Sequence, residues 1–409
     1  MRRLVLLFLA VSLVGCVRAA SHNTSHAGNQ ERAGWHGDNW ERLQAALTQR
    51  VPVGDAAPRR VAVFDWDNTM MRNDIGDATL FWMLRHDQVL QPAGRDWRAR
   101  HPLLSPEAAS ALQRACDGAG EPDTPLATSR TPRCADELLS IYLDNRSTDG
   151  AAAWTTPDTP TMHPPYAFGA ELLAGHTPDA ARGFARAAFR EASDNPLGTE
   201  WTVGSRRVTG WVRLYDEMHN LLDHVRQAGL DAWIVSASAQ PLVEVVAAHV
   251  GVPPDHVIGV RMRVDGNGKL TATPEPCGAG TEPVITYDEG KRCWINKVIF
   301  KAAPEHQLAP ATSDDQRPFL VAGDSDTDLA MLKDATGARL VINRQRTRLM
   351  CHAYGDGDPR WIVQPMFIDP LPPRATPYPC STSRDARGMP LTTPAGQPIP
   401  DQPDRVAAR

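Results

Sequence analysis

Asp65-Trp66-Asp67-Asn68-Thr69 sets two carboxylates two residues apart, directly behind the short apolar run Val61-Ala62-Val63-Phe64. Such a run reads as a strand buried on both faces, and ligands of an open α/β sheet bind at the carboxyl ends of its strands. Two aspartates in an exposed turn would be unremarkable. Two at the mouth of a buried strand need a cation to balance them, and both can approach one reacting centre. Gly323-Asp324-Ser325-Asp326-Thr327-Asp328 repeats the construction behind Phe319-Leu320-Val321-Ala322. Together the two clusters supply the hard oxygen ligands that Mg2+ prefers. Ser236 closes a third apolar run, Ala232-Trp233-Ile234-Val235, where its hydroxyl and nearby N–H groups could hold a phosphate oxygen. Lys291, behind Glu289-Gly290, offers a positive charge.

These residues must be positioned by the runs they follow. A fourth run, Leu340-Val341-Ile342, and helical patterns over 212–228 and 241–250 complete an alternation of strands and helices. That alternation predicts an α/β fold of the doubly wound, Rossmann-like kind, built on a parallel sheet. The stretch 74–209 interrupts it with helical patches at 75–85, 106–116, 135–143 and 178–192, and reads as a mainly helical cap over the site. Residues 257–263 and 269–273, around the turn Asp265-Gly266-Asn267-Gly268, read as a hairpin. Trp40, Leu43 and Leu47 fall at helical spacing in a lead helix. Beyond Asp369 the chain is rich in proline and polar residues, which predicts a disordered tail. The domains expected are a leader at 1–15, a tether and lead helix at 16–55, a core from 56–73 and 210–369, a cap at 74–209 and a tail at 370–409.

Composition narrows the function classes. The 409 residues are 42% hydrophobic and 22% charged, enough apolar material for a sizeable core. Lys and Arg number 43 against 48 Asp and Glu, a formal charge of −5, which disfavours a nucleic-acid partner. The start Met1-Arg2-Arg3, an apolar run over 4–14 and Leu13-Val14-Gly15-Cys16 resemble the leader and lipobox of bacterial lipoproteins. The resemblance implies a membrane anchor through lipidated Cys16 on the periplasmic side. Val17 in place of an aspartate points to the outer membrane rather than the inner. The alternative is cleavage near Val17-Arg18-Ala19-Ala20 and a secreted soluble protein. The polar stretch 21–39, with His22, His26 and His36, reads as a tether. Six further cysteines in an oxidising compartment suggest disulfides, and sequence neighbours pair as Cys116–Cys134, Cys277–Cys293 and Cys351–Cys380.

Taken in order, Asp65-Trp66-Asp67-Asn68-Thr69, Ser236-Ala237-Ser238, Gly290-Lys291 and Gly323-Asp324 through Asp328 resemble the four motifs of the haloacid dehalogenase (HAD) superfamily of phosphotransferases. The resemblance spans about residues 56–370, with the cap inserted between the first and second motifs as in the capped branch. Two aspartates in the first motif look like a phosphatase; the dehalogenase branch lacks the second. The resemblance implies that Asp65 attacks phosphorus to form an aspartyl-phosphate, and that Asp67 serves as general acid and then base. Ser236 and Lys291 would bind the phosphoryl group. Mg2+ would lie on the Asp65 and Asp324 carboxylates and the Asp67 backbone carbonyl, with Asp328 just outside, through water or by orienting Lys291. Lys291 fits the third motif best, with Lys297 and Lys301 as the other candidates. The first two motifs, in an exported chain, look most like bacterial phosphorylcholine phosphatases and phosphoserine-phosphatase-like relatives. A small phosphomonoester, phosphorylcholine first, is therefore the expected substrate. A quaternary ammonium would need an aromatic cage from among Trp82, Trp154, Tyr166, Phe168, Trp201 and Trp211. The alternatives are a broad-specificity periplasmic phosphatase that scavenges phosphate and a non-catalytic lipoprotein of the same fold with a binding role.

Overall fold

A computed structural model describes residues 32–49 and 60–405. The leader, Cys16 and most of the tether lie outside the described residues. Everything below belongs to the unit that begins at Trp35. In chain order its main elements are α1 (Asn39–Thr48), β1 (Val61–Phe64), β2 (Met71–Arg72), α2 (Ile75–Arg85), α3 (Trp97–Arg100), α4 (Pro106–Ala115), α5 (Pro132–Asp144), α6 (Pro164–Glu171) and α7 (Pro178–Asp194). They continue with β3 (Glu200–Val203), β4 (Arg206–Thr209), β5 (Arg213–Leu214), α8 (Asp216–Gln227), β6 (Asp231–Ala239), α9 (Gln240–Ala247), β7 (Val257–Val260), β8 (Met262–Val264) and β9 (Leu270–Pro274). The last are α10 (Glu289–Val298), β10 (Leu320–Gly323), α11 (Leu329–Asp334), β11 (Ala338–Asn343), α12 (Thr347–Gly355) and β12 (Trp361–Pro365).

Six strands form one sheet in the order β12-β11-β10-β1-β6-β7, and every pairing in it is parallel. The fold is thus the Rossmann-like α/β fold expected. β1 is buried along its whole length because successive side chains serve opposite layers. Ala62 and Phe64 join the core that includes α8, α9 and the cap, whereas Val61 and Val63 join a second core with residues of α10, α11 and α12. α8 shows how the sequence specifies its layer: Met218, Leu221, Leu222 and Val225 recur at helical spacing and are its buried residues.

The cap leaves and returns through a short antiparallel ladder, in which Met71 pairs with Leu214 and Arg72 with Arg213. Between these strands lie α2 to α7 and the β3–β4 hairpin. Side-chain caps start four of the helices: Asp74 accepts from Asp77 N, Asp96 from Arg98 N and Ala99 N, Ser105 from Ala108 N and Thr177 from Ala180 N. The disulfides are Cys116–Cys134, Cys277–Cys293 and Cys351–Cys380, the neighbour pairing that the sequence suggests.

Two expectations differ from the structure. Val257–Val260 is an edge strand of the main sheet, paired with β6, and only β8 and β9 form the hairpin. The continuous apolar run Val257-Ile258 fits a buried parallel strand, and the hairpin turn nearby obscured that. Residues 370–405 are not an unpacked tail. Tyr378, Cys380, Leu391 and Ile399 are buried against the core that contains α12, and Tyr378 pairs with Gln402. Proline-rich composition carries no periodicity from which such packing can be read.

Candidate active site

β10, β1 and β6 are neighbours, and the residues that follow them converge. Asp65 N donates to Ala322 O (2.9 Å), so the β1–β10 ladder continues one residue beyond β1 and fixes Asp65 at the carboxyl end of a central strand. Thr69 Oγ1 lies 2.9 Å from Asp65 Oδ2 and 3.1 Å from Asp324 Oδ1. A hydroxyl has one proton to give, so it satisfies only one of these two buried carboxylates at a time. Lys291 Nζ, without solvent exposure, donates to Asp65 Oδ1 and to Asp328 Oδ1, both at 2.6 Å. Asp328 Oδ2 accepts from the backbone N–H groups of Asp324 (2.9 Å) and Ser325 (3.0 Å), so both oxygens of Asp328 are engaged.

Close approach explains the glycines of the third and fourth motifs. A Cβ on Gly323 would stand 2.6 Å from Asp328 Cβ, and one on Gly290 would stand 1.9 Å from the Ile285 carbonyl oxygen. Of the three candidate lysines only Lys291 reaches the carboxylates. Lys297 bonds the Pro276 carbonyl and lies over Trp294, and Lys301 is exposed.

Asp67 is held differently. Its Oδ2 accepts from Ser238 Oγ (2.7 Å) and Ser236 Oγ (3.1 Å), and its Oδ1 accepts from Ile75 N (2.7 Å), the first N–H of α2. Burial, reinforced by Asp74 and Asp65, raises the Asp67 pKa well above the usual carboxylate range. Asp65 is pushed up to about 6 by burial, with Lys291 opposing the rise and Asp324 adding to it. Burial also raises Asp324 and Asp328. It would lower Lys291, but Asp328 and Asp65 outweigh it, so the net shift is upward and the lysine stays charged.

A cavity of about 290 Å³ opens beside these residues. Asp65, Asp67, Asp74, Ser238, Asp324 and Arg344 line its polar side, and Tyr142, His163, Tyr166 and Tyr287 its aromatic side. Ser236 and Lys291 do not line it. Ser236 is fully buried and accepts from Ser238 N (3.0 Å), and Lys291 sits behind Asp65. Sequence reasoning placed Asp65, Asp67, Asp324, Asp328 and Lys291 together, and the structure does bring them together. It missed Ser238, Asp74, Arg344, Tyr142, His163 and Tyr287. Asp326, the acid without an assigned task, accepts from Leu349 N (2.8 Å) in the first turn of α12.

Of the six aromatics expected near the substrate, only Tyr166 lines the cavity. Trp82 stacks on His86, Trp154 meets Phe168 edge-on, Trp201 lies under Arg85 and Trp211 under Arg72. Those five belong to packing within and beneath the cap. His163 stacks on Tyr287 with ring centroids 5.1 Å apart and meets Tyr166 edge-on at 4.5 Å. Tyr142 Oη donates to Asp77 Oδ1 (2.8 Å), and burial together with Asp74 pushes Asp77 up to about 7.

The donor set fits Mg2+. One oxygen from each of Asp65, Asp324 and Asp328 lies within 4.8 Å of the others, all three residues are buried, and all the donors are hard. Asp65 and Asp324 would be the direct carboxylate ligands, because both line the cavity whereas Asp328 does not and is held by Lys291 and two backbone N–H groups. The Asp67 side chain stands outside this group.

Residues 151–333 match the family of haloacid dehalogenase-like hydrolases, a span that contains Ser236, Lys291, Asp324 and Asp328 but not Asp65. No curated protein matches the chain. A conserved protein of unknown function from Anaerococcus prevotii has a similar structure, at 19% identity and a TM-score of 0.57 over 78% of this chain and 89% of that one. That likeness shows the fold. A phosphoserine phosphohydrolase-like protein from Francisella tularensis aligns at 11% identity, with a TM-score of 0.32, over 71% of this chain and 89% of that one. A substrate-bound phosphoserine phosphatase aligns at 11% identity, with a TM-score of 0.29, over 69% of this chain and 86% of that one.

Proposed function

We propose that the chain is a Mg2+-dependent phosphatase that hydrolyses a small phosphomonoester through an aspartyl-phosphate on Asp65. One observation carries this reading: Asp65, Asp324 and Asp328 surround Lys291 and Thr69 at the carboxyl ends of the central strands of a parallel sheet, with the protonatable Asp67 beside them. An Asp65 oxygen attacks phosphorus and the bond to the leaving oxygen breaks, while Asp67 gives that oxygen its proton. Water then attacks the phosphoryl group and gives a proton to Asp67, and the Asp65 carboxylate is restored. Lys291 holds charge on Asp65, and Mg2+ on Asp65 and Asp324 would neutralise the charge that collects on the phosphoryl oxygens. A purely binding role leaves three buried carboxylates without a purpose.

Phosphate release from p-nitrophenyl phosphate, with Mg2+ and with EDTA, tests the reading in wild type and Asp65→Asn. Loss of turnover in both EDTA and the variant is expected. Activity surviving Asp65→Asn would remove the nucleophile.

Phosphorylcholine is the first substrate to try. Tyr142, Tyr166 and Tyr287 line the cavity with Asp74, and ring faces together with a carboxylate attract a fixed positive charge. A kcat/KM for phosphorylcholine no better than for p-nitrophenyl phosphate sinks the specific version and favours a broad scavenging enzyme. Attachment to the periplasmic face of an outer membrane through Cys16 belongs to the same proposal and rests on the leader sequence. Lipid labelling that is lost in Cys16→Ser is the expected result.

A further inference from the structure

Lys291 is the positive charge that the sequence offers for the phosphoryl group, yet it lies behind Asp65 with both of its hydrogen bonds to carboxylates and takes no part in the cavity wall. A phosphate dianion entering this cavity would meet Asp65, Asp67, Asp74 and Asp324. Mg2+ on Asp65 and Asp324 would offset part of this repulsion, and a cation of the protein's own in the cavity wall would offset more.

Arg344 fills that position. It is the first residue after β11, the strand next to β10, so it emerges at the same carboxyl edge as Asp324. Its Nη1 donates to Asp324 Oδ2 at 2.6 Å, and its side chain lines the cavity. That is its one side-chain hydrogen bond among the described residues, which leaves four of the five donors of its fork without a protein partner. A guanidinium matches the paired oxygens of a phosphoryl group in a way that an ammonium does not.

We propose that Arg344 is a catalytic residue that binds the non-bridging phosphoryl oxygens directly, from the cavity wall that Lys291 does not reach. Asp324 anchors one end of its fork and the substrate takes the other. The inference rests on the phosphatase reading above and adds to it a charged residue outside the four motifs.

The test compares wild type, Arg344→Gln and Arg344→Lys at saturating Mg2+, with inorganic phosphate as a competitive inhibitor of p-nitrophenyl phosphate hydrolysis and Mg2+ affinity measured separately by calorimetry. Arg344→Gln is expected to weaken phosphate binding about tenfold or more and to lower kcat/KM at least as much, while Mg2+ affinity changes less than about threefold. Arg344→Lys keeps the charge but not the fork, and should fall between. It also carries the test should the glutamine variant not fold. Phosphate binding unchanged in both variants overturns the inference. So does a fall in Mg2+ affinity as large as the loss of phosphate binding, because Arg344 would then only orient Asp324. A wild type that releases no phosphate refutes the phosphatase reading itself, a result distinct from either.

Discussion

Gly290 stands immediately before Lys291, and a Cβ there would meet the Ile285 carbonyl oxygen at 1.9 Å. The obstacle is backbone, so the start of α10 must shift to accept any side chain. Gly290→Ala is expected to cost about 2 to 3 kcal/mol and to draw Lys291 away from Asp65 and Asp328. Urea denaturation of the variant with unchanged midpoint and slope would show that the clash relaxes freely. The same scale shows what sequence could reveal. Asp65, Asp67, Asp324 and Asp328 were legible because a carboxylate directly behind a buried apolar run is costly unless a cation or a donor meets it there. Ser236 and Ser238 both reach Asp67, but Ser236 is fully buried and only Ser238, two residues further along the chain, meets the cavity. Asn343 and Arg344 also follow an apolar run, so a strand-end signal existed for the arginine. Tyr142 and His163 had none, because the cap brings them to the site through packing between distant helices.

At the scale of elements, the sheet was read from four apolar runs, whereas β12 and the segment from 370 onward were not. Their order depends on remote partners. The Cys351–Cys380 bond ties the segment to α12, Asp404 accepts from Tyr354 Oη (3.1 Å) and Arg374 N (3.2 Å), and Arg387 pairs with Glu289 at the start of α10. Tyr378, Leu391 and Ile399 are almost wholly buried, and each such apolar side chain contributes about 1.5 to 3 kcal/mol on burial. A chain ended at Asp369, with Cys351→Ser to remove the orphaned thiol, should therefore melt roughly 10 °C below the full chain. An unchanged Tm would return these residues to the status of a dispensable tail.

For the whole molecule, the buried acids couple stability to pH, and a metal at the proposed site would add to that coupling. Asp65 is pushed up to about 6 and Asp77 to about 7, while the same groups titrate near 3.9 in an unfolded chain. The folded state therefore holds protons that the unfolded state has released. The contribution of these groups is complete below pH ~4 and is lost as pH rises through about 6 to 7. Mg2+ bound at Asp65 and Asp324 would take the place of the Asp65 proton, so the stabilisation it gives would grow with pH. The measurement is the difference in Tm with Mg2+ and with EDTA between pH 5 and 8. That difference cancels His101 and His352, whose burial lowers their pKa and makes them contribute in the opposite direction. A difference that is flat with pH, or absent, removes the metal from the Asp65–Asp324 pair.

The central place of β1 also governs the order in which the molecule can assemble. Ala62 pairs with Ala232 on one side and with Leu320 on the other, and the whole cap lies between the first two in sequence. Loops of that span close slowly, because their entropy is lost before any contact forms. Asp65 gains its surroundings only when β10 arrives to accept the Asp65 N–H at Ala322. Until then the two first-motif aspartates remain solvated and ordinary. The proposed reactive centre therefore cannot be complete before β10 is in place, and a chain stalled short of β10 carries the first motif without its partners.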